Sequence, residues 1–335
     1  NEKKKIDNIS ENNYFLVIIV IIFFLIGLIG PGFWKINSPN FFNENIFSQT
    51  RASLTGRNLD LNSLKLDKNF LNSALSSKDL FNKEIAVAWS ENMLIKAKND
   101  FQIPRIFFSQ LPDDLYTYEL KNRKKLFITI MLPLLVRGNE IVSSERKKIK
   151  LLFYRQKYEQ LKNYCSKYKV SIKICSINQP ISMKKVNSLK KSLLTKVDIF
   201  PLSMMLAQAA IESGWGMSRF AKKGNALFGQ WTWDKSKGLK PNQAPNANFV
   251  VKSFKNLQHS VNSYILNLNT HPAYEKMRKY RKLMKDSDQT VKGTNIAKYL
   301  DKYAEIGYDY VLKVLSMIES NEFEKYNELI FEVKK

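Results

Sequence analysis

One glutamate lies at the end of an apolar run, immediately before a serine, two glycines and a tryptophan. Residues 210–216 read Ala-Ile-Glu-Ser-Gly-Trp-Gly, which places Glu212 three positions before Trp215. A carboxyl group in such surroundings loses contact with water, which disfavours its charged form and raises its pKa. Because an acid that keeps its proton near neutral pH can donate it to a substrate, Glu212 is the candidate general acid.

Aromatic residues near this acid indicate the kind of substrate. Trp215, Trp231, Trp233 and Tyr264 would offer flat faces on which sugar rings could stack. A protonated glutamate beside a tryptophan is also the arrangement by which lysozyme protonates a glycosidic oxygen. These residues together favour the cleavage of a glycan.

A helix must position the acid. Pro201 suits the first turn of a helix. Apolar residues follow it at helical spacing, at Leu202, Met205, Leu206, Ala209 and Ala210. Gly214 then ends this helix just after Glu212. A second short helix is expected over residues 218–224, because it begins with a serine and ends with a glycine.

The chain changes character after the second short helix. Trp231 and Trp233 are two positions apart, as are Phe249 and Val251, and Gly, Pro and Asn residues fill the interval. This alternation predicts a β-hairpin with a long loop. From Leu257 onward the apolar residues return to helical spacing. The predicted fold class is therefore mainly α, a helical lobe with a small β-hairpin lobe.

An uncharged stretch predicts a membrane anchor. Residues 14–34 are 21 positions without a charged side chain, about the number needed to cross a bilayer. Lys3, Lys4 and Lys5 precede this stretch, so the N-terminus is expected to stay in the cytoplasm. We therefore expect a single-pass inner-membrane protein with its catalytic domain in the periplasm or outside the cell. A cleaved signal peptide is the alternative, although no small-residue cleavage motif follows the apolar run.

The rest of the chain divides into segments by composition. Residues 35–84 are rich in Asn, Ser and Asp, whereas residues 85–196 carry apolar runs with charges at helical spacing. The predicted segments are a cytoplasmic tail (1–13), a membrane anchor (14–34), a spacer (35–84), a helical leader region (85–196), the domain with Glu212 (197–322) and a tail (323–335).

The chain is strongly basic. It has 54 Lys and Arg against 30 Asp and Glu, a formal net charge of +24, and anionic partners are therefore expected. The sequence contains no motif of a nucleic-acid-binding module, so we expect no nucleic-acid partner. Anionic lipid headgroups and teichoic-like polymers are open alternatives as partners of the basic leader region.

Histidine and cysteine are too few for several kinds of chemistry. His259 and His271 are the only histidines of the sequence, which excludes a three-histidine metal site and a zinc amidase. Neither Cys165 nor Cys175 has the surroundings of a nucleophile, and the sequence contains no Gly-x-Ser-x-Gly motif. We expect no metal and no cofactor. The two cysteines are either bridged in an oxidising compartment or free thiols.

A longer motif around Glu212 resembles a known family. Residues 206–231, LAQAAIESGWGMSRFAKKGNALFGQW, are similar to the signature of the peptidoglycan glucosaminidases of glycoside hydrolase family 73, a group related to the flagellar-rod hydrolases. Within that family the chain most resembles the Bax-type proteins, through FSQLPDDL and KKLFITIMLPL in residues 108–134. The resemblance implies a lysozyme-like α+β fold, with a glycan groove between the two lobes. It also implies hydrolysis of the bond after N-acetylglucosamine in peptidoglycan strands, with Glu212 as general acid.

The resemblance suggests further catalytic residues. Relatives carry a second acid in the β lobe, and Asp234 is the one acidic residue between Glu212 and Glu275. The segment LDKYAEIGYDYVLKVL resembles the paired tyrosines of the family, which makes Tyr303 and Tyr310 candidates for orienting the acetamido group or the water. If no second carboxylate takes part, the N-acetyl group of the substrate itself would stabilise the developing positive charge.

Other residues match the groove of the family. The segment Asn225 to Gly229, which includes Phe228, would position sugar through its backbone groups. Tyr274 matches a recurrent family position and is expected to close the floor of the groove.

Two other functions are open alternatives. A lytic transglycosylase or a muramidase would act on the same glycan. The transglycosylases use a single catalytic glutamate, which belongs to a similar Glu-Ser pair. Their following loop usually reads Gly-Leu-Met-Gln, whereas this chain has Asn-Ala-Leu-Phe-Gly-Gln-Trp, which favours hydrolysis. The alternative of another class is a membrane-tethered scaffold that binds peptidoglycan without cleaving it.

Overall fold

The computed structural model describes three stretches of the chain, residues 83–175, 182–242 and 247–332. The predicted cytoplasmic tail and membrane anchor, and almost all of the predicted spacer, lie outside the described residues. Every helix and strand named below belongs to one compact unit of the chain.

Helices make up most of the described chain. The α-helices are α1 Lys83–Asp100, α2 Leu120–Tyr154, α3 Lys162–Lys167, α4 Ile172–Cys175, α5 Met183–Lys196, α6 Leu202–Ser213, α7 Arg219–Gly224, α8 Leu257–Thr270, α9 Glu275–Asp286, α10 Gly293–Ala297 and α11 Tyr308–Ser320. The strands are β1 Gln102–Ile103, β2 Trp231–Thr232, β3 Gly238–Leu239, β4 Val250–Lys252 and β5 Ile330–Phe331. Single turns of 3₁₀-helix are formed by Leu115–Thr117, Tyr158–Leu161, Lys235–Lys237, Pro272–Tyr274 and Phe323–Tyr326. A mainly helical fold with a small sheet is thus confirmed, and it is consistent with a lysozyme-like α+β arrangement.

The long helix α2 forms the centre of the fold. It has 35 residues, and its apolar middle around Pro133 is buried. Among the described residues it is the one helix long and apolar enough to cross a membrane, but 72% of its apolar stretch is buried inside the protein. It packs against α1, α6 and α8. We therefore assign α2 to the protein core.

Helix α6 begins and ends where the local sequence predicts. Pro201 stands at its N-cap, and every residue from Leu202 to Ala210 is buried. Gly214 adopts a left-handed conformation, with φ of +57°, and its N–H donates to the carbonyl oxygens of the last turn. Such a conformation suits glycine, which has no Cβ to collide with the backbone.

The small sheet has three antiparallel strands in the order β2-β4-β3. Trp231 pairs with Val251 in the register, which confirms the predicted β-hairpin. The edge strand β3 was not predicted. It lies so close to β4 that a Cβ atom at Gly238 would collide with the carbonyl oxygen of Val251. A glycine is therefore required at this contact.

Residues from the two ends of the described chain meet. Strand β1 pairs in parallel with β5. The turn Phe323–Tyr326 packs against α6, and Phe323 is fully buried. Residues 323–332, which the sequence analysis assigns to a tail, thus contribute to the fold.

One disulfide lies within the leader region, and polar contacts connect that region to the following helices. Cys165 and Cys175 form a disulfide, which resolves the choice between a bridge and free thiols. The guanidinium group of Arg281, which is completely buried, donates hydrogen bonds to backbone carbonyl oxygens at the end of α5 and to Asn269 Oδ1. Asp198 forms ion pairs with Arg146 and Lys285. Helices α2, α5 and α9 are thereby joined through a buried charged cluster.

Candidate active site

Glu212 lies in the last turn of α6, where the chain turns sharply. Trp215 follows in the same left-handed conformation as Gly214, with φ of +57°. The hydroxyl of Ser213 donates to the carbonyl oxygen of Ala209 and accepts from the N–H of Gly216, so both sides of the turn are anchored. This geometry holds the carboxyl group at the end of a rigid, buried helix.

The two oxygens of the Glu212 carboxyl group have different neighbours. Tyr310 donates a hydrogen bond of 2.6 Å to Oε1. Gly229 lies against Oε2, and a Cβ atom built at this glycine would stand 2.8 Å from that oxygen. Gly229 also has a positive φ of +58°. A larger residue here would both strain the backbone and press on the acid.

The surroundings of Glu212 favour its protonated form. The side chain is only partly exposed to solvent, and desolvation raises its pKa from 4.5 to about 7, while the hydrogen bond from Tyr310 and the charge of Lys313 act in the opposite direction. Protonated and ionised forms of Glu212 are therefore both accessible near neutral pH. A group with such a pKa can act as a general acid in one step and as a base in the next.

A buried amide that sequence reasoning missed extends this contact. Gln208 is fully buried on α6, one turn before Glu212. Its Nε2 donates to the hydroxyl of Tyr310 at 3.0 Å, and its Oε1 accepts from the hydroxyl of Tyr264 at 2.5 Å. A glutamine within an otherwise apolar helix was the available signal, because buried polar groups need hydrogen-bond partners.

The predicted tyrosines come together beside the acid. The rings of Tyr303 and Tyr310 stack at 5.1 Å, and the Tyr303 hydroxyl donates to the carbonyl oxygen of Phe228. Tyr264 stacks on Phe228 at 3.8 Å, and Tyr274 lies 6.2 Å from Tyr303 between ring centres. Burial raises the pKa of Tyr310 and Tyr303, and that of Tyr274 to about 12. All of these hydroxyls thus keep their protons at neutral pH.

Two predicted binding residues occupy structural positions. Tyr264 is completely buried and has no exposed face for a sugar ring. Asn225 ends α7 with a left-handed conformation, and its side-chain amide donates to the carbonyl oxygen of Phe254. Both side chains therefore make contacts within the protein, Tyr264 with Phe228 and Asn225 with the backbone of Phe254.

Trp215 packs towards the leader region. Its ring meets Phe127 and Phe323 edge to face, at 5.8 and 6.3 Å between centres. The ammonium group of Lys124 lies 4.8 Å from the centre of the same ring. The indole therefore joins the turn after Glu212 to helix α2, and much of its surface is occupied by protein.

Trp231 and Trp233 present aromatic surface to solvent. Trp231 stacks on Phe249 at 4.2 Å and is 50% exposed, and Trp233 is 76% exposed. Exposed tryptophans of this kind are unusual unless they meet a ligand or another surface. Among the predicted site residues that the structure describes, these two expose the most aromatic surface.

Asp234 caps its own turn. Its carboxylate accepts hydrogen bonds from the N–H and the hydroxyl of Ser236 and forms an ion pair with Lys237 at 2.7 Å. These contacts lower its pKa to about 2, the Lys237 and Ser236 hydrogen bonds having the largest effects. Among the described residues, the charged group that shifts the pKa of Glu212 is Lys313 rather than Asp234.

A sizeable cavity lies away from the acid. Its volume is about 320 Å³, and it opens between α2, α8 and β4, with Gly138, Lys252 and Ser263 in its wall. Glu212 does not belong to this wall. We place the candidate active site at Glu212 because the chemistry of that group, rather than the size of a cavity, determines where a proton can be transferred.

The chain is similar to proteins of known families. The family model described as "Glucosaminidase: Mannosyl-glycoprotein endo-beta-N-acetylglucosaminidase" matches residues 188–323. The chain is 30% identical over 233 residues to "Protein bax" of Escherichia coli strain K12, a match that covers 68% of this chain and 80% of that protein. No solved structure matches the chain significantly.

A second relative covers a smaller region. The chain is 33% identical over 132 residues to "Peptidoglycan hydrolase FlgJ" of Vibrio parahaemolyticus serotype O3:K6, strain RIMD 2210633. This match covers 35% of the chain and 41% of the relative. The similarity to the flagellar protein is thus restricted to less than half of either sequence.

Proposed function

Because the chain belongs to the Bax-type group of the glucosaminidase family, we propose that it hydrolyses the glycosidic bond after N-acetylglucosamine in peptidoglycan. Glu212 is the general acid of this proposal. The observation that carries it is a carboxyl group with a pKa raised to about 7, hydrogen-bonded to Tyr310 on one oxygen and beside Gly229 on the other.

In the first step Glu212 gives its proton to the glycosidic oxygen. The bond between that oxygen and the anomeric carbon breaks, and the departing sugar leaves with a neutral hydroxyl group. Tyr310 stabilises the carboxylate that remains, because a hydrogen bond to a charged acceptor is stronger than one to a neutral acceptor. The same carboxylate can then take a proton from the attacking water.

Positive charge develops on the anomeric carbon while the bond breaks. A second carboxylate usually stabilises this charge, but Asp234 is exposed and engaged with Ser236 and Lys237. We propose that the carbonyl oxygen of the substrate's own N-acetyl group attacks the anomeric carbon instead, as in substrate-assisted glycosidases. Water then opens this cyclic intermediate and transfers its proton to Glu212.

Sugar binding is assigned to the exposed side of the site. Trp231 and Trp233 offer exposed rings on the sheet, and aromatic faces pack well against the apolar faces of sugars. Tyr303 and Tyr274 lie deeper and shape the wall behind Gly229 and Phe228. Peptidoglycan glycan strands are thus the proposed partner.

The test measures new ends in purified peptidoglycan. The full chain is incubated with peptidoglycan, and the products are reduced with borohydride and analysed by mass spectrometry. Glucosaminidase activity produces reduced glucosamine ends. We expect the Glu212→Gln variant to lose about 1,000-fold in kcat/KM, whereas Glu319→Gln, which changes an exposed acid on α11, should keep wild-type activity. Equal release by wild type and Glu212→Gln would contradict the proposal.

The same products separate the alternatives. A muramidase produces reduced muramic acid ends, and a lytic transglycosylase produces anhydromuramic ends that borohydride does not reduce. The transglycosylase is the second candidate, because one carboxyl group with a raised pKa suffices for its reaction. Peptidoglycan binding without any new ends would support the scaffold.

We also propose that the chain is anchored in the inner membrane and exported. The uncharged stretch of residues 14–34 is long enough to cross a bilayer. The disulfide between Cys165 and Cys175 supports export, since disulfides persist mainly in oxidising compartments. Protease treatment of cells with a permeabilised outer membrane should remove the domain with Glu212. Complete protection would oppose this localisation.

A further inference from the structure

Three hydroxyl and amide groups form a directed chain behind Glu212. The chain runs from the hydroxyl of Tyr264 to Gln208 Oε1, from Gln208 Nε2 to the hydroxyl of Tyr310, and from there to Glu212 Oε1. The first three side chains are almost completely buried, with exposed fractions of 2% or less. Water therefore does not compete for these hydrogen bonds.

The orientation of the Gln208 amide sets the order of donors and acceptors in this chain. A phenol has one proton to donate, and an amide oxygen can only accept. Oε1 of Gln208 accepts from Tyr264, so Nε2 of the same amide faces Tyr310. The Tyr310 oxygen accepts a hydrogen bond from this Nε2, and its own hydroxyl proton therefore points to Glu212.

This direction distinguishes the two oxygens of the acid. A proton on Oε1 would face the hydroxyl proton of Tyr310 across a gap of 2.6 Å. The proton of neutral Glu212 therefore favours Oε2, the oxygen beside Gly229, because protonation of Oε1 would weaken the hydrogen bond that this oxygen accepts from Tyr310. Gly229 is partly exposed, so this oxygen lies at the side of the acid that a substrate can approach.

We propose that Gln208 is a positioning residue that, through Tyr310, keeps the transferable proton of Glu212 on Oε2. The inference rests on the proposed function, because it concerns the proton given to the glycosidic oxygen. Without the amide, the Tyr310 hydroxyl can rotate or accept a hydrogen bond from Oε1. Part of the acid then holds its proton on the oxygen that faces away from the substrate.

Other charged or titratable groups near Glu212 do not specify this direction. Lys313 acts on the acid through its positive charge, which favours the carboxylate without selecting an oxygen. Tyr303 directs its hydroxyl to the carbonyl oxygen of Phe228. The pKa of Tyr274 is raised by burial and by the charge of Glu212, so its hydroxyl keeps its proton.

The experiment compares two substrates that differ in their need for a proton. Peptidoglycan has a sugar leaving group that must be protonated. A 2,4-dinitrophenyl glycoside of an N-acetylglucosamine oligomer has a leaving group that departs as a stable phenolate. For the full chain carrying Gln208→Met, which preserves side-chain length, we expect about a tenfold loss of kcat/KM on peptidoglycan. On the aryl glycoside the loss should be less than about twofold.

A matched control separates positioning from stability. Asn269 is another fully buried amide that donates one hydrogen bond and accepts one, but its partners are Asp198 and Arg281. The Asn269→Leu variant should lower the melting temperature and, to the extent that folded enzyme is lost, reduce both activities equally. A fall of both activities by the same factor in Gln208→Met, or no fall in either, would overturn the inference.

A second variant serves if Gln208→Met does not fold. Tyr264→Phe removes the hydroxyl that orients the amide and keeps the ring stacked on Phe228. It should reproduce the selective loss on peptidoglycan, and the double variant should lose no more than Gln208→Met alone, because both changes act through Tyr310. Additive losses would oppose the inference. Wild-type protein inactive on both substrates would instead refute the proposed function.

Discussion

Glu212 and Asp234 carry the same chemical group but differ in almost every physical respect. Glu212 ends a buried helix, and desolvation raises its pKa to about 7. Asp234 begins an exposed turn, and hydrogen bonds from Lys237 and Ser236 lower its pKa to about 2. One group therefore holds a proton near neutral pH, and the other is fully ionised.

The contrast shows how burial and hydrogen-bond partners together determine the protonation state of an acid. Lysine and N–H donors stabilise a carboxylate outright. Tyr310 also lowers the pKa of Glu212, but burial is the stronger influence on that group. A carboxyl group can thus be held in position by a hydrogen bond and still be protonated near neutral pH, provided that burial outweighs the effect of its partner.

The largest expected effect concerns stability and pH. The folded pKa of Glu212 is raised above the unfolded value of 4.5, so the folded chain retains a proton that the unfolded chain releases. This contribution is complete below pH 4.5 and is lost as the pH rises through 7, a change of about 3 kcal/mol. Urea unfolding of wild type and Glu212→Gln at pH 4.5 and pH 8 measures it. If the free energy of unfolding changed by the same amount between the two pH values in both proteins, the raised pKa of Glu212 would be contradicted.

A pair of glycine variants tests access to the acid. Gly229→Ala places a Cβ 2.8 Å from Glu212 Oε2, whereas Gly214→Ala meets no atom within 4 Å. Both positions have φ near +57°, so each substitution costs about 1–2 kcal/mol of backbone strain. We expect a loss of roughly 30-fold in kcat/KM for Gly229→Ala only. Equal activity of the two variants would show that Oε2 is not the reactive side.

Removal of the Tyr310 hydroxyl should raise the pKa of Glu212 further. Its hydrogen bond lowers the pKa of the acid, so Tyr310→Phe should raise that pKa further and move the basic limb of the kcat/KM profile to higher pH. We also expect about a tenfold loss of maximal rate, because the carboxylate formed in the first step loses its donor. Tyr299→Phe is the control, because the ring of Tyr299 packs against Tyr280 and the structure records no contact between Tyr299 and Glu212 among the described residues. A basic limb that moves to lower pH would contradict this account.

The smallest effect is expected at the exposed acid. Asp234→Asn retains a side-chain oxygen that can cap the turn, and kcat/KM should stay within about threefold of wild type. A pH profile recorded alongside should keep both limbs. A loss of about 100-fold would instead give Asp234 the role of a second catalytic acid.

The parts of the site that depend on neighbouring residues could be predicted from the sequence. Pro201 and Gly214 define helix α6 because proline and glycine act on the backbone where they stand. The hairpin followed from the alternation of Trp231, Trp233, Phe249 and Val251. These features require no knowledge of distant partners.

The buried hydrogen-bond chain required such knowledge. Gln208 meets residues 56 and 102 positions further along the chain, and no local pattern encodes that encounter. The orientation of Trp215 was equally inaccessible, because a tryptophan with a positive φ is uncommon and directs its ring towards α2 rather than along the helix axis. Elimination identified Asp234 as the acid of the hairpin but gave no information about the direction of its carboxylate.

The packing of the turn after Glu212 has a consequence for any attempt to isolate the recognisable domain. The family match begins at residue 188, yet a Cβ at Gly216 would press on side chains of Leu111, Leu115 and Phe127. A fragment that begins at residue 188 would therefore expose the apolar surface that these side chains cover, and we expect it to aggregate. The stretch that sequence comparison identifies is therefore shorter than the stretch that we expect to fold, which includes the leader region.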